Sequence, residues 1–218
     1  MMARFYQIAM DGPAGAGKSS IAKKLSLKLN FTFINSGGIF RSIAVAIAEN
    51  NIDYNNENQI ENLLKLNKIS QKGDDMYLND KNISDKTWTP KITALVPNIA
   101  KIKIIREYVK KIQQNIAKTN NIAIEGRDTT TMIFPNAILK CWVFADPKIR
   151  ALRRWEQNGK IGTVEEILDE LLLRDKKDSE RVEAPMKRAF GAFDVDTTNL
   201  NVDQAVTLIF NEFLKRKK

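Results

Sequence analysis

One short stretch near the start of the chain combines glycines, a lysine and two serines. Gly12 to Ser19 read GPAGAGKS and match the pattern G-x-x-x-x-G-K-[ST]. Glycines let backbone N–H groups turn inward around phosphate oxygens, and a helix N-terminus adds partial positive charge. Lys18 would reach the β- and γ-phosphates, and Ser19 would hold Mg²⁺ through its hydroxyl. The stretch therefore predicts a loop that binds a nucleoside triphosphate.

The expected contacts extend over the whole loop. The alternative is a glycine-rich turn that opens an ordinary helix, but glycines in this register are rare at ordinary usage, before the lysine and serine are required. The residues predicted to bind ATP are Gly12, Pro13, Ala14, Gly15, Ala16, Gly17, Lys18, Ser19 and Ser20, with Ser19 also the predicted metal ligand.

Two further groups of polar residues follow predicted strands. Ser36 and Arg41 come after FTFI, and Arg127 and Asp128 come after NIAIE. Ligands of open α/β sheets bind at the carboxyl ends of the strands. We therefore expect these segments to face the same crevice as the phosphate loop.

Two predicted helices carry the remaining candidate arginines. One contains Arg150, Arg153 and Arg154, and the other has Arg174, Asp178 and Arg181 at spacings that share one helical face. A surface helix with ion pairs is the alternative. Beside a phosphate loop, converging arginines favour phosphate binding.

Apolar patterning gives the elements that position these residues. Strands alternate with helices, which predicts a parallel sheet covered on both faces. One region, 68–85, has alternating apolar residues around two polar turns and predicts a small antiparallel insert. The predicted strands are 5–10, 31–34, 121–125, 139–144 and 193–195, and the predicted helices are 18–30, 39–49, 99–117, 147–157, 164–178 and 202–215.

Composition narrows the possible chemistry. The chain has 218 residues, one cysteine and no histidine, which excludes a disulfide scaffold and mechanisms that need an imidazole. No apolar run is long enough to span a membrane, so we expect a cytoplasmic protein. The net charge of +9 leaves nucleic acid, an acidic membrane surface or a polyphosphate open as partners. Trp88 is expected to be a buried anchor.

Over nearly its whole length, the chain resembles the cytidylate kinases. DGPAGAGKSS is similar to their phosphate loop, and NSGGIFR resembles their D-[ST]-G-A-[IM]-Y-R segment. EGRDTTTMIFPNA resembles D-G-R-D-[MI]-G-T-V-[VI]-F-P-x-A. RALRRW and RDKKDSERVEAPM follow in the family's order.

The resemblance implies an adenylate-kinase-like P-loop core within a single domain, 1–218. It implies a five-stranded parallel sheet of order 2-3-1-4-5 with helices on both faces. It also implies a nucleoside monophosphate-binding lobe near 36–105 that holds the 68–85 insert, and a lid near 150–180.

The resemblance also implies ATP- and Mg²⁺-dependent phosphorylation of CMP and dCMP by a monomer with no nucleic-acid or membrane partner. Asp128 or Asp178 would accept a hydrogen bond from the cytosine amine, and Arg150, Arg153 and Arg154 would close over ATP. The implied substrate-binding residues are Ser36, Arg41, Arg106, Arg127, Asp128, Arg174, Asp178 and Arg181, and the implied catalytic residues are Lys18, Arg127, Arg150 and Arg154.

Some positions depart from the family pattern. Asn35 and Glu125 replace aspartates, and Thr129–Thr131 lack a central glycine. Pro97 stands where a serine is expected to contact the base. These departures keep three alternatives open: another P-loop small-molecule or nucleotide kinase, a weakly catalytic nucleotide-binding regulator, and, from the charge alone, a nucleic-acid binder.

Overall fold

The computed structural model describes residues 5–217, which group into two compact units. The first unit comprises the chain up to Phe33 together with the chain from Thr119 onward, and the second comprises Ile34–Lys118. In chain order the elements are β1 (Gln7–Asp11), α1 (Lys18–Leu29), β2 (Thr32–Asn35), α2 (Ser36–Glu49), α3 (Glu57–Leu66), β3 (Ile69–Lys72), β4 (Asp75–Leu78), β5 (Lys81–Asn82), α4 (Ser84–Thr87), α5 (Pro90–Ile99), α6 (Lys103–Ala117), β6 (Ile122–Glu125), a π-helical turn (Thr129–Ile133), β7 (Leu139–Phe144), α7 (Pro147–Gln157), α8 (Val164–Glu180), β8 (Phe193–Asp196) and α9 (Val202–Arg216).

The main sheet has five strands in the order β2-β6-β1-β7-β8. This is the predicted order 2-3-1-4-5, counted over the sheet's own strands, and the prediction is confirmed. β1 lies in the middle and pairs in parallel with β6 and β7. Met10 lies opposite Glu125, and Asp11 opposite Trp142. The end of β1 therefore delivers the phosphate loop to the middle of the carboxyl edge of the sheet.

The core of the first unit lies between the sheet and two helices. Ile21 and Leu25 of α1 and Ile209 and Phe213 of α9 are buried with the inward side chains of β1, β7 and β8. This burial removes the apolar faces of both helices from water. It also fixes the start of α1 directly beyond the phosphate loop.

The second unit combines helices with a three-stranded antiparallel sheet of order β3-β4-β5. Ile69 lies opposite Leu78, and Tyr77 opposite Asn82. The predicted antiparallel insert at 68–85 is confirmed.

Two helix boundaries in the second unit differ from the prediction. The predicted helix 99–117 is split, because α5 ends at Ile99 and α6 begins only at Lys103 after the extended residue Ile102. α2 begins at Ser36 rather than at Ile39, because the Asn35 side chain caps it. Arg106 consequently lies in the first turns of α6.

Within residues 5–217, no helix combines the length and the apolar character needed to cross a membrane.

Candidate functional site

The phosphate loop has a backbone that only glycine fits at its first position. Gly12 has φ +146°, and a Cβ there would lie 1.9 Å from the carbonyl oxygen of Val143. Gly17 has φ +83° and makes no side-chain cap to α1. The first N–H groups of α1 therefore lack a side-chain cap and are suited to an anion.

Lys18 is confined inside this loop. Its side chain is only 4% exposed, and Nζ donates to the carbonyl oxygen of Pro13 at 2.6 Å. Burial, with a smaller effect from the charge of Arg127, lowers the pKa of Lys18 to about 7. The charged form of Lys18 is thus less stable here than it would be in water, and a negative charge placed nearby would stabilise it.

The charge of Arg127 acts both on Lys18 and on a second arginine, Arg174. The pKa of Arg174 is lowered by burial and then by the charges of Arg127 and Arg154, while Asp178 and Asp175 oppose the shift. We call Lys18, Arg127, Arg154 and Arg174 the cation cluster. Like charges held together in a partly buried place predict an anionic ligand.

Four of the predicted substrate-binding residues form one ion-pair network. Arg127 Nε donates to Asp178 Oδ2 at 3.0 Å, and Arg181 Nη2 donates to Asp128 Oδ1 at 3.1 Å. Arg181 Nη1 also lies 3.7 Å from Asp178 Oδ1. The network joins the segment after β6 to the end of α8, two segments that are distant in sequence. All four side chains are largely buried.

Ser36 and Arg41 lie on α2 in the second unit. Ser36 Oγ accepts a hydrogen bond from Gln113 Nε2 at 2.8 Å. The Arg41 guanidinium stacks 4.0 Å from the centre of the Trp88 ring. Trp88 is 55% exposed, so the prediction of a buried anchor is wrong. A flat cation over an indole is a favourable arrangement that leaves the outer ring face in solvent.

Arg106 is held at the start of α6. Its Nη1 donates to the carbonyl oxygen of Ala100 at 2.9 Å, and its guanidinium lies 5.8 Å from the centre of the Phe40 ring. Ser36, Arg41 and Arg106 thus all belong to the second unit.

Arg150 and Arg153 have partners within the first unit other than those the resemblance implied. Arg150 Nη1 donates to the carbonyl oxygen of Ala14 and to Asp175 Oδ2. Arg153 Nη2 donates to the carbonyl oxygens of Thr197 and Leu200. Arg150 supports the phosphate loop directly, and Arg153 anchors α7 to the segment after β8.

Two of the departures from the family pattern, Asn35 and the threonines, have local explanations. Asn35 Oδ1 accepts from the Gly38 N–H at 2.8 Å, a cap that needs only a side-chain oxygen. The buried Asp11 carboxylate accepts four hydrogen bonds, from the N–H and hydroxyl groups of Thr129 and Thr130, at 2.5–2.8 Å. These threonines therefore anchor the π-helical turn to β1.

Mg²⁺ fits the residues at the mouth of the loop. Ser19 is exposed at the start of α1, and Glu125 is 8% exposed and raises the pKa of Lys18 through its charge. Mg²⁺ uses few protein oxygens and keeps water and phosphate as its other ligands. In the described part of the chain, no group of three or more histidine, cysteine or acidic side chains could hold a metal. These few protein oxygens suit a Mg²⁺ ion whose other ligands are water and the phosphate oxygens of a nucleotide.

Sequence reasoning missed the roles of four residues, Asp11 and Asp175 in the first unit and Trp88 and Gln113 in the second. The Ala14 N–H donates to Asp175 Oδ1 at 2.8 Å across 161 residues. Asp11 lies between the predicted strand 5–10 and the motif, and that position was the available signal for it. The partners of the other three are distant in sequence, so spacing gives no indication of them.

Comparisons with known proteins agree with this geometry. The cytidylate kinase family model matches residues 8–215. A cytidylate kinase from Fusobacterium nucleatum subsp. nucleatum is 39% identical to this chain over 214 residues, covering 96% of this chain and 98% of the relative. A cytidylate kinase from Thermosipho melanesiensis is 38% identical over 206 residues, covering 93% and 94%.

A solved structure supports the fold alone. The crystal structure of an uncharacterized protein from Eubacterium ventriosum aligns with a TM-score of 0.51 at 13% identity, covering 95% of this chain and 98% of that one.

Proposed function

This chain belongs to the cytidylate kinase family, and we propose which of its residues transfer a phosphoryl group from ATP to CMP and dCMP. The chain is a phosphotransferase, and ATP is its phosphate donor. The observation that carries the assignment of residues is the cation cluster, which gathers Lys18 and three arginines beside a phosphate loop.

The phosphate loop, from Gly12 to Ser20, binds the triphosphate of ATP. Lys18 exchanges its bond to the Pro13 carbonyl oxygen for the β- and γ-phosphates, which stabilise its charged form. Ser19 would hold Mg²⁺, with Glu125, whose charge acts on the adjacent Lys18, as a further oxygen donor. When bound, Mg²⁺ neutralises charge on the phosphates.

The transfer step needs no histidine base. The acceptor is a phosphate oxygen that is already anionic, so no proton must be removed before it attacks. Charge develops on the oxygens of the transferred group, and Lys18, Arg127, Arg154 and Arg174 stabilise it. Arg150, which the resemblance implies to be catalytic, would contribute by holding the loop through its hydrogen bond to the Ala14 carbonyl oxygen.

Acceptor recognition falls to Ser36, Arg41 and Arg106 and to the ion-pair network of Arg127, Asp128, Asp178 and Arg181. Cytosine carries an exocyclic amine that donates to a carboxylate, whereas uracil has a carbonyl oxygen at that position. A largely buried Asp128 or Asp178 would repel that oxygen. We therefore assign the preference for cytosine to these carboxylates.

We also propose that the enzyme is a cytoplasmic monomer and that it has no nucleic-acid or membrane partner. Light scattering after gel filtration tests the monomer, and one molecular mass of twice the monomer would contradict it.

A steady-state assay with ATP and Mg²⁺ tests the proposal. We expect CMP and dCMP to give kcat/KM at least about tenfold above UMP and AMP. Lys18→Ala should lower kcat by about a hundredfold or more, because it removes a charge that contacts the transition state. Asp128→Ala should lower the CMP to UMP ratio. Equal turnover of AMP and CMP would contradict the cytosine assignment.

A further inference from the structure

We infer that Arg150 and Asp175 form a clamp on Ala14 that holds the phosphate loop in the shape that ATP requires. This inference rests on the proposed function of that loop. Arg150 and Asp175 are therefore positioning residues, and they act on ATP through the backbone of Ala14.

The clamp binds both backbone polar groups of a single loop residue. The Ala14 N–H donates to Asp175 Oδ1 at 2.8 Å, and the Ala14 carbonyl oxygen accepts from Arg150 Nη1 at 2.8 Å. The two side chains also bind each other, with Arg150 Nη1 at 2.5 Å from Asp175 Oδ2. Ala14 therefore cannot rotate either peptide group without breaking a charge-assisted hydrogen bond.

The surroundings make these bonds strong. The side chains of Arg150 and Asp175 are 5% and 13% exposed, so water competes weakly for them. Arg150 Nε donates to the carbonyl oxygen of Ala145 at 3.2 Å, which fixes the guanidinium to the segment between β7 and α7. The Ala14 side chain lies in an apolar cluster with Ala151 of α7 and Leu171 of α8.

The clamp acts directly before the part of the loop that faces phosphate. Gly15 follows Ala14, and a Cβ on Gly15 would lie 3.1 Å from Arg150 Cβ. The N–H groups from Gly15 to Ser19 converge on phosphate only if the chain enters the turn in one direction. The clamp sets that direction.

The clamp also ties the loop to α8. Asp175 follows Arg174, a member of the cation cluster, and lies one turn before Asp178 of the ion-pair network. A shift of α8 away from the loop would break the bond between Asp175 and Ala14. The position of Arg174 is therefore linked to the shape of the phosphate loop.

A purely structural ion pair between α7 and α8 would have a different consequence. Removing one partner of a buried pair destabilises a protein strongly, whereas replacing both partners by apolar residues of similar size is often neutral. A structural pair should therefore be fully replaceable by apolar residues. A clamp should not be, because apolar residues leave both peptide groups of Ala14 unbound.

Calorimetric titration with ADP separates the two roles. The variants are Asp175→Ala, Arg150→Met and the double variant Arg150→Met with Asp175→Leu, each also followed by thermal unfolding. We expect the double variant to unfold at a higher temperature than either single variant, because it leaves no buried charge unpaired, and still to bind ADP about tenfold or more weakly than wild type. The loss of ADP affinity in the double variant should match the loss in either single variant, because the two residues act as a unit.

The exposed pair Arg188–Asp194 supplies the matched control. Arg188→Met with Asp194→Leu should change the Kd for ADP by less than twofold. A double clamp variant that regains both stability and ADP affinity would overturn the inference. If the double variant does not fold, Asp175→Asn and Asp175→Leu decide together, since both lose the ionic bond to Arg150 but only Asn keeps an oxygen for the Ala14 N–H. Asp175→Asn should bind ADP within about threefold of wild type and Asp175→Leu about tenfold more weakly, and equal affinity in these two variants would overturn the inference.

The same experiments keep this inference separate from the proposed function. Failure of the wild-type chain to phosphorylate CMP would refute the proposed function, while the binding of ADP to the variants would still test the clamp. In an active enzyme, the clamp variants should raise the KM for ATP about tenfold and the KM for CMP less than threefold.

Discussion

At the scale of single residues, Lys18 holds a charge that its buried surroundings destabilise. Burial is the larger cause of its lowered pKa, and the charge of Arg127 is the next. An anionic ligand replaces the repulsion from Arg127 by attraction. Binding and protonation of this side chain are therefore coupled.

We predict that ADP binding at pH 8 takes up protons. With a pKa of about 7, Lys18 is mostly neutral at pH 8 before binding and charged afterwards, an uptake of about 0.9 proton. Calorimetry in two buffers of different ionisation enthalpy measures the uptake, and Lys18→Met should abolish it. Equal proton uptake in wild type and variant would contradict this account of Lys18.

The lowered pKa of Lys18 also determines how this residue makes the free energy of unfolding depend on pH. The unfolded chain holds a proton on Lys18 up to the ordinary value of 10.5, whereas the folded chain releases it from about pH 7. Between these values the unfolded state binds more protons, so this group makes the free energy of unfolding rise with pH.

At the scale of elements, the π-helical turn after β6 is held by Asp11. Its carboxylate is fully buried and accepts hydrogen bonds from both Thr129 and Thr130. The turn follows Arg127 and Asp128, so this anchor fixes the segment that carries them. Where the family pattern has a glycine, this chain has threonines whose hydroxyl groups bond to Asp11.

We predict that Thr130→Val lowers the free energy of unfolding by about 1–3 kcal/mol, because it removes a hydrogen bond to a buried charge. Thr131→Val is the matched control, since its hydroxyl makes only a 3.3 Å bond to the Asp128 carbonyl oxygen, and it should lower that free energy by less than about 1 kcal/mol. Urea unfolding measures both. Equal losses would show that the Asp11 anchor has no special role.

The elements also show what sequence can and cannot predict. The phosphate loop and the strands were predictable, because the motif is contiguous and each strand is a short apolar run. The order of the strands came only from the resemblance to the cytidylate kinases. The break between α5 and α6 was missed because the apolar pattern runs through Ile99 and Ile102. Asp175 and Asp11 were missed because their partners lie 161 and 118 residues away along the chain. Such pairings exist only in the folded chain.

At the scale of the whole molecule, the net charge of +9 favours the approach of a polyanion. We predict that kcat/KM for ATP falls by about twofold to tenfold between 50 and 200 mM salt, because screening weakens that attraction. The substitutions Lys215→Glu and Lys217→Glu, at the end of α9, should leave kcat/KM for ATP at low salt within about twofold of wild type, because they leave the cation cluster unchanged. A rate for ATP that is independent of salt would contradict the electrostatic part of the account.

In the proposed reaction the γ-phosphoryl group passes from ATP to CMP, and the cation cluster stabilises the charge that develops on it. Single-turnover transfer of radiolabel from γ-labelled ATP tests this most directly, in the wild type, in Arg127→Met and in the control Arg188→Met. We predict that the label moves to CDP, about a hundredfold more slowly in Arg127→Met and within twofold of wild type in the control. Release of the label as inorganic phosphate, at a rate that neither CMP nor Arg127 affects, would contradict the account.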